Sequence, residues 1–228
     1  GRWRVIPEPA NDATGSAYVL PIFPLEHAIL PSTIVPLHIF EPRYRKFAHD
    51  LQTMKDPSFG IVGIERGREV GGQDQRFDVG VVMRVLHAEK FSDGQWALTS
   101  VASRRITVTE WLPEDPYPQA LVVDRHDRVD RDSDEAAVAL DRHSLATEFA
   151  HLAAMERRQY PQVDLLAGLD PAEDFDWRTW ELVSRSGLCS LDHVRLLRCD
   201  SPAERTRLAN TLITERRSLL EALAEGDR

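Results

Sequence analysis

The sequence is poor in cysteine and lysine. Its two cysteines, Cys189 and Cys199, form no C-x-x-C motif and have no histidine cluster beside them, which argues against a zinc site. We expect both to be buried free thiols of a cytoplasmic protein, where thiols stay reduced. Only Lys46, Lys55 and Lys90 stand against 25 arginines. A Ser-Lys catalytic pair would need one of these three, and no serine near them stands out.

Long apolar runs and the common catalytic motifs are also missing. No stretch approaches the ~18 apolar residues of a membrane span, and no signal peptide is visible. The sequence lacks the Walker-A, G-x-G-x-x-G, G-x-S-x-G and H-E-x-x-H patterns. Its eight histidines are scattered and form no metal-binding pair. We therefore expect no enzyme activity, no cofactor, no metal and no association with a membrane.

Positive charge is scarce relative to negative charge. The net charge of −9 argues against a nucleic-acid partner, because phosphate binding depends on clustered Lys and Arg. A hydrophobic fraction of 42% and a charged fraction of 29% are those of a globular protein. The 228 residues suffice for one large domain or two small ones.

The most hydrophobic segment, residues 20–47, reads LPIFPLEHAILPSTIVPLHIFEPRYRKF and contains five prolines. Proline is tolerated at strand ends and edges but not in central pairing, so we expect the prolines to bracket two short strands, 19–23 and 35–40. Pro42 suits the first turn of a helix, where its missing N–H is not needed. The helix is indicated by apolar residues at helical spacing, namely Tyr44, Phe47, Ala48 and Leu51.

The rest of the chain divides into a β half and a helical half. About seven strands within roughly 110 residues predict a closed barrel or a sandwich. From Ser133 onward the apolar residues recur at helical spacing, and Ser133, Asp170 and Ser201 are candidate N-caps. The charged segment 124–135 lacks an apolar run. We place the boundary there, with a β domain carrying one short helix in 1–126 and an α-helical domain in 127–228.

The proline-rich segment resembles the opening of the N-terminal, substrate-binding domain family of Lon protease. That family reads roughly LPLFPL, then a spacer ending in FPG, then PLHIFEPRY. Residues 20–25 match the first part and residues 36–44 match the last part without a change. Ser32 stands where the family has glycine. In the later Gly-x-x-Arg-Phe pattern Arg104 is kept, whereas Arg105 replaces the phenylalanine.

The resemblance implies an α+β fold, a PUA-like β-barrel (pseudo-barrel) followed by a C-terminal helical bundle. It also implies a stand-alone bacterial form without the ATPase and protease domains. The expected function is a non-catalytic module that binds polypeptide segments or a protein partner, as an adaptor. The candidate binding residues are His38, Phe40, Glu41, Arg43, Tyr44, Trp96, Arg104, Trp177 and Trp180.

Alternatives remain open for several of these residues. Glu41 and Arg43 are expected to be partly structural, by pairing with each other or with nearby backbone. Trp177 and Trp180, three residues apart on one helix, fit either a core or a partner-binding face. Because PUA-like barrels also occur in RNA-binding proteins, the competing function is RNA binding through a basic patch. It would consist of Arg43, Arg45, Lys46, Arg104 and Arg105.

Overall fold

The computed structural model describes residues 15–67, 75–128, 135–168 and 175–226. These residues form a β part with one helix and then a helical part. In chain order the elements are β1 (Tyr18–Leu25), β2 (Ile34–Ile39), α1 (Pro42–Leu51), β3 (Ser58–Arg66), β4 (Gln75–Lys90), β5 (Trp96–Trp111), β6 (Gln119–Asp124), α2 (Glu135–Gln159), α3 (Phe175–Arg185), α4 (Ser190–Arg198) and α5 (Pro202–Gly226).

The described strands form one sheet that closes on itself. Their order is β2-β5-β4-β3-β1-β6, and an additional β5–β6 pairing joins the far end back to the long fifth strand. The first half of β5 pairs with β2 from Val101 to Trp96, and its second half pairs with β6 from Ile106 to Trp111. The pseudo-barrel implied by the resemblance is therefore confirmed: five strands of the described six-stranded sheet close into a ring, and β2 pairs with β5 outside that closure.

Two predicted strands are one. Residues 95–101 and 104–111 were expected to be separate, but both belong to the 16-residue β5. The segment between them contains neither glycine nor proline. Its pairing with β4 continues across a register shift at Val81/Met83, where a β-bulge lets the strand bend without ending. The seven predicted strands therefore reduce to six among the described residues.

The prolines lie inside strands and do not simply bracket them. Pro21 is the last β1 residue paired with β6, and Pro24 lies beyond that pairing, opposite Val62 of β3. Pro36 is in the middle of β2, which has β5 as its one partner in the described sheet. All three avoid positions that need two-sided pairing, which is where a missing N–H costs most. The expectation of proline at strand edges is right, and the expected strand limits are wrong.

The predicted apolar stripe of α1 is buried. Tyr44, Phe47, Ala48 and Leu51 are all at most 4% exposed. Phe47 makes edge-to-face contacts with Phe59, at 5.2 Å between ring centroids, and with Tyr117, at 5.5 Å. Such aromatic pairs add to the stabilisation from burial itself. Helix α1 thus covers one end of the ring.

The helical part follows the predicted pattern where it is described. Leu145, Phe149 and Leu152 of α2 are buried. Ser201 caps α5 by accepting a 3.2 Å hydrogen bond from Glu204 N–H, and the Glu204 carboxylate accepts one from Asp200 N–H at 2.7 Å. The predicted caps Ser133 and Asp170 lie outside the described residues. No helix in the described ranges has the length and apolar character of a membrane span.

The two cysteines flank α4 and differ in exposure. Cys199 is buried as predicted, but Cys189 is exposed, so the prediction of two buried thiols is half wrong. Cys189 is the residue before the first turn of α4, and its thiol lies 3.1 Å from the Asp192 carboxylate. The first turn of α4 faces solvent, as the 60% exposure of Leu191 shows, and the buried residues of the helix begin only at His193.

Candidate functional site

An open cleft lies between β1, β2 and the start of α1. Its volume is about 280 Å³. The cleft brings together four of the predicted binding residues, His38, Phe40, Glu41 and Tyr44. Most of the other lining side chains are apolar, although the surface that the cleft exposes is slightly more polar than apolar. The full lining comprises Phe23, Leu25, Pro36, Leu37, His38, Ile39, Phe40, Glu41 and Tyr44.

The cleft follows from strand alternation in β2. Val35, Leu37 and Ile39 are buried, while the residues between them face outward, as the two-residue period of a strand requires. Glu41 has an extended backbone and Pro42 begins α1, so the chain turns from strand to helix without a loop. The turn brings Tyr44 back against Phe23 of β1, with 4.4 Å between ring centroids.

Glu41 and Arg43 form the pair that the sequence predicted. Arg43 Nε lies 3.2 Å from a Glu41 carboxylate oxygen, and its guanidinium carbon is 4.6 Å from the centre of the Tyr44 ring. Glu114 is a second acidic partner of Arg43 at 3.6 Å. Arg45 Nε donates to the carbonyl of Phe40 at 2.7 Å. These contacts fix the rim of the cleft, and they give the charged residues of the family motif a structural role.

Helix α4 holds the loop that joins the two cleft strands. Ala28 N–H donates to Ser190 Oγ at 2.9 Å, and His193 Nδ1 lies 2.7 Å from Ala28 O. The His193 ring is buried and meets His27 edge to face, with 4.7 Å between ring centroids. Burial lowers the pKa of His193 to about 4. The helical part therefore positions the connection between β1 and β2 with a neutral imidazole.

Trp96 and Arg104 lie away from the cleft lining. Trp96 is buried on β5, and the Lys90 ammonium is 5.7 Å from its ring centre. Arg104 pairs with Asp124 at 2.8 Å and donates to Tyr18 Oη at 3.2 Å. These two predicted side chains therefore do not join the cleft. The side chain of Trp177, on α3, lies outside the described residues.

Trp180 packs in a buried junction between the β part and the helical part. Its ring is 6% exposed and lies 4.3 Å from the Arg205 guanidinium carbon, measured to the ring centre. Arg105 approaches the same ring at 5.8 Å. The core interpretation of Trp180 is therefore what the geometry shows.

Asp127 links the two junction arginines. Arg205, 1% exposed, donates to both Asp127 carboxylate oxygens at 2.8 and 2.9 Å, and Arg105 contacts the same carboxylate. Arg105 also donates to two carbonyls at the end of α4, those of Leu197 at 2.8 Å and Cys199 at 2.6 Å. Burial alone would raise the pKa of Asp127, but the hydrogen bonds and charges of the arginines outweigh it and hold that pKa below its usual value.

The junction was not foreseen from the sequence. The segment containing Asp127 was interpreted as a charged boundary, and Arg105 was placed in a surface patch. Arg105 is 5% exposed and faces the helical part, so it cannot belong to such a patch. Lys46 and Arg104, two other members of that patch, are paired with Asp50 and Asp124. The one available clue was the arginine standing where the family pattern has phenylalanine.

Solved structures share this fold. A Lon N-terminal domain protein from Xanthomonas campestris is 22% identical, with a TM-score of 0.55, and the match covers 90% of this chain and 98% of that one. The N-terminal domain of a Mycobacterium avium complex Lon protease is 18% identical, with a TM-score of 0.56, and the match covers 87% and 99%. At these identities the likeness shows the fold.

The family is shown by a match over most of the chain. No curated protein matches the sequence. The model of the substrate-binding domain of ATP-dependent protease La (LON), in contrast, matches residues 19–215. That range contains the described strands, apart from the first residue of β1, together with the cleft and both sides of the buried junction. The chain belongs to the Lon substrate-binding domain family.

Proposed function

We propose that this chain is a non-catalytic adaptor of the cytoplasm that binds unfolded or partner polypeptides through the cleft between β1, β2 and α1. The observation that carries the proposal is the predominance of apolar side chains in the lining of that cleft, with Phe23, Leu25 and Ile39 bordering one open volume of about 280 Å³. A concave, largely apolar site with few polar groups is typical of ligand binding. Membership of a substrate-recognition family supports a polypeptide as the ligand.

The energetics of such binding are those of apolar burial. An incoming side chain removes its own surface and that of the cleft from water, which contributes roughly 25 cal/mol per Å² of apolar area. Part of that gain is lost in ordering the polypeptide, so a single cleft of this size supports modest affinity. Modest affinity suits an adaptor, because an adaptor must release the polypeptide that it binds.

The experiment is a titration of the purified chain into a fluorescently labelled, permanently unfolded protein, followed by anisotropy. The same protein in its folded form and a labelled single-stranded RNA are the controls. The proposal predicts saturable binding to the unfolded form alone, with little change between low and moderate salt. Binding to RNA alone, weakening steeply as salt rises, would overturn the proposal in favour of a nucleic-acid function.

A further inference from the structure

The outer edge of β2 lies beside the cleft, and its backbone N–H and C=O groups are not paired with any described strand. Ala102 N–H donates to Thr33 O at 2.9 Å, which orients residue 33 toward β5. In an antiparallel ladder alternate residues face the same neighbour, so residues 35, 37 and 39 also face β5. The N–H and C=O groups of Ile34 and His38, and the C=O of Pro36, then face away from β5. In the described sheet no strand lies on that side of β2.

This edge is apolar where an exposed strand is ordinarily polar. Ile34 is 59% exposed, and Phe40, just beyond the strand, is 48% exposed. Pro36 lies between them and is exposed too. Natural sheets protect such edges with charges or proline, because an open edge pairs with other chains. Here Pro36 removes one donor, but no charged side chain lies on β2 itself.

The cleft continues this edge. Leu37 and Ile39 of β2 face Phe23 and Leu25 of β1 across the open volume. An extended chain paired with β2 would direct alternate side chains into that volume, since successive residues of a strand point to opposite faces. Backbone pairing and an apolar pocket on one edge are the two components of recognition by strand addition.

The charge of the site selects among polypeptides. The Glu41 carboxylate in the cleft lining is paired with Arg43, so the relevant field is that of the whole chain, which has a net charge of −9. An acidic segment would be repelled by this field, whereas a neutral or basic one would be attracted. Because Pro36 offers no N–H, continuous pairing is limited to the few residues around His38.

We propose that the cleft binds its polypeptide as an added β-strand: a short extended segment pairs with the backbone of His38 and places an apolar side chain in the cleft, against Phe23 and Leu25. The occupant is an apolar segment of alternating pattern with neutral or basic flanks. This inference rests on the proposed function and specifies its geometry. It assigns to the backbone of β2 a role that side-chain burial alone does not require.

The test uses a labelled peptide of alternating Val and Thr with a central Phe and a Lys at each end. Two further peptides carry N-methyl groups on one or the other alternate set of backbone amides. In strand addition one set faces β2 and the other faces solvent, so methylation of one set weakens binding about tenfold or more. Methylation of the other set leaves the affinity within about twofold. A peptide with Asp in place of both Lys residues binds more weakly than the parent.

A pair of protein variants examines the same contact from the other side. His38→Pro and His38→Ala both remove the imidazole, but only proline removes the edge N–H. We expect the proline variant to bind the parent peptide about fivefold more weakly than the alanine variant, a difference of one backbone hydrogen bond. Circular dichroism confirms that both variants keep the native fold. The methylated peptides need no variant at all, so they decide the question even where the proline variant fails to fold.

Several outcomes would overturn the strand model. Equal binding of both methylated peptides would show apolar binding without backbone pairing, and the proposed function would stand. Failure of every peptide and of the unfolded protein would remove the proposed function together with the strand model. A concentration-dependent dimer that forms in wild-type but not in His38→Pro, with no peptide binding, would assign the edge to a second copy of this chain.

Discussion

The cleft and the junction are built by opposite means. The cleft is open and lined mainly by apolar side chains, and the charged residues at its rim, Glu41 and Arg43, are each about one-fifth exposed. The junction is closed and charged, with Arg205 and Arg105 almost fully buried around Asp127. Apolar surface left open is available to a partner. Charge that is buried and paired is not available, and here one carboxylate neutralises an arginine from each of the two parts.

The comparison distinguishes two reasons why a residue stands out in the sequence, namely a place in the cleft and a place in the buried junction. The cleft residues match the family pattern, and the 48% exposure of Phe40 among them has no packing explanation within the described residues. The junction residue Arg105 departs from the family pattern, and its contacts with Asp127 and α4 explain it completely. Residues that look important in the sequence can therefore belong to either class, and burial decides which.

Removing the shared carboxylate should have the largest effect. Asp127→Ala leaves the guanidiniums of Arg105 and Arg205 buried without their anion, which we expect to cost about 3 kcal/mol of unfolding free energy. Urea denaturation measures the loss. The matched control is Asp78→Ala, which breaks the exposed pair with Arg198 and should cost less than about 1 kcal/mol. Equal losses in the two variants would refute the importance of the junction.

Acid should weaken the contact between α4 and the cleft loop. The pKa of His193 is about 4 in the folded chain and is near 6.5 when unfolded, so only the unfolded state takes up the proton between these values. Stability conferred by the neutral imidazole is therefore present above pH 6.5 and is lost as the pH falls toward 4. Between pH 7 and pH 5 the loss is about 2 kcal/mol.

His193→Asn isolates that effect, because the amide can still donate to the Ala28 carbonyl but does not titrate. Denaturation curves at pH 7 and pH 5 should differ less in this variant than in the wild-type chain. His143→Asn, at an exposed position of α2, is the control and should keep the wild-type pH dependence. Identical pH dependence in all three chains would contradict the assignment to His193.

Truncating the cleft rim should reduce binding with little change in stability. Phe40→Ala removes a ring that is 48% exposed, so we expect an about tenfold loss of affinity for the unfolded protein, or about 1.4 kcal/mol. Tyr160→Ala, which removes an aromatic ring 45% exposed on the helical part, is the matched control and should bind as the wild type does. A parallel loss in both variants would mean that the effect is not local to the cleft.

The smallest expected change is a gain. Ser32 has φ = 72°, the left-handed region that only glycine occupies without strain, and its buried hydroxyl has no hydrogen-bond partner among the described residues. Ser32→Gly should raise the unfolding free energy by about 1 kcal/mol, measured in urea. Thr33→Gly, next in the chain without a positive φ, should lower it instead. A destabilised Ser32→Gly variant would show that the serine contributes something beyond its strained backbone.

The sequence predicted the features that depend on local pattern. The alternation in β2 and the helical spacing of α1 are both observed, and the residue at the glycine position, Ser32, has the backbone that glycine favours. It also placed four cleft residues in one short motif, because a strand followed directly by a helix keeps them near each other.

What the sequence could not predict depends on partners distant in the chain. Phe23 and Leu25 lie on β1, whose place in the sheet is set by pairing with β3. Asp127 pairs with Arg205, which is 78 residues later in the sequence. From sequence alone, a charged residue is expected to be exposed to solvent, because its partner in the folded chain is not known. The limits of β5 were missed for the same reason, since pairing with β4 carries the strand through a segment whose own pattern suggests a break.

The proline at the centre of β2 also has a consequence for the behaviour of concentrated solutions. Fibrous aggregation grows when each added strand presents a complete ladder to the next one. Pro36 leaves one rung of that ladder without a donor, so a strand seated on this edge is held over a short length and cannot extend the stack indefinitely. Under the proposed function, the edge of β2 is therefore available to pair with a polypeptide without starting the growth of a fibril.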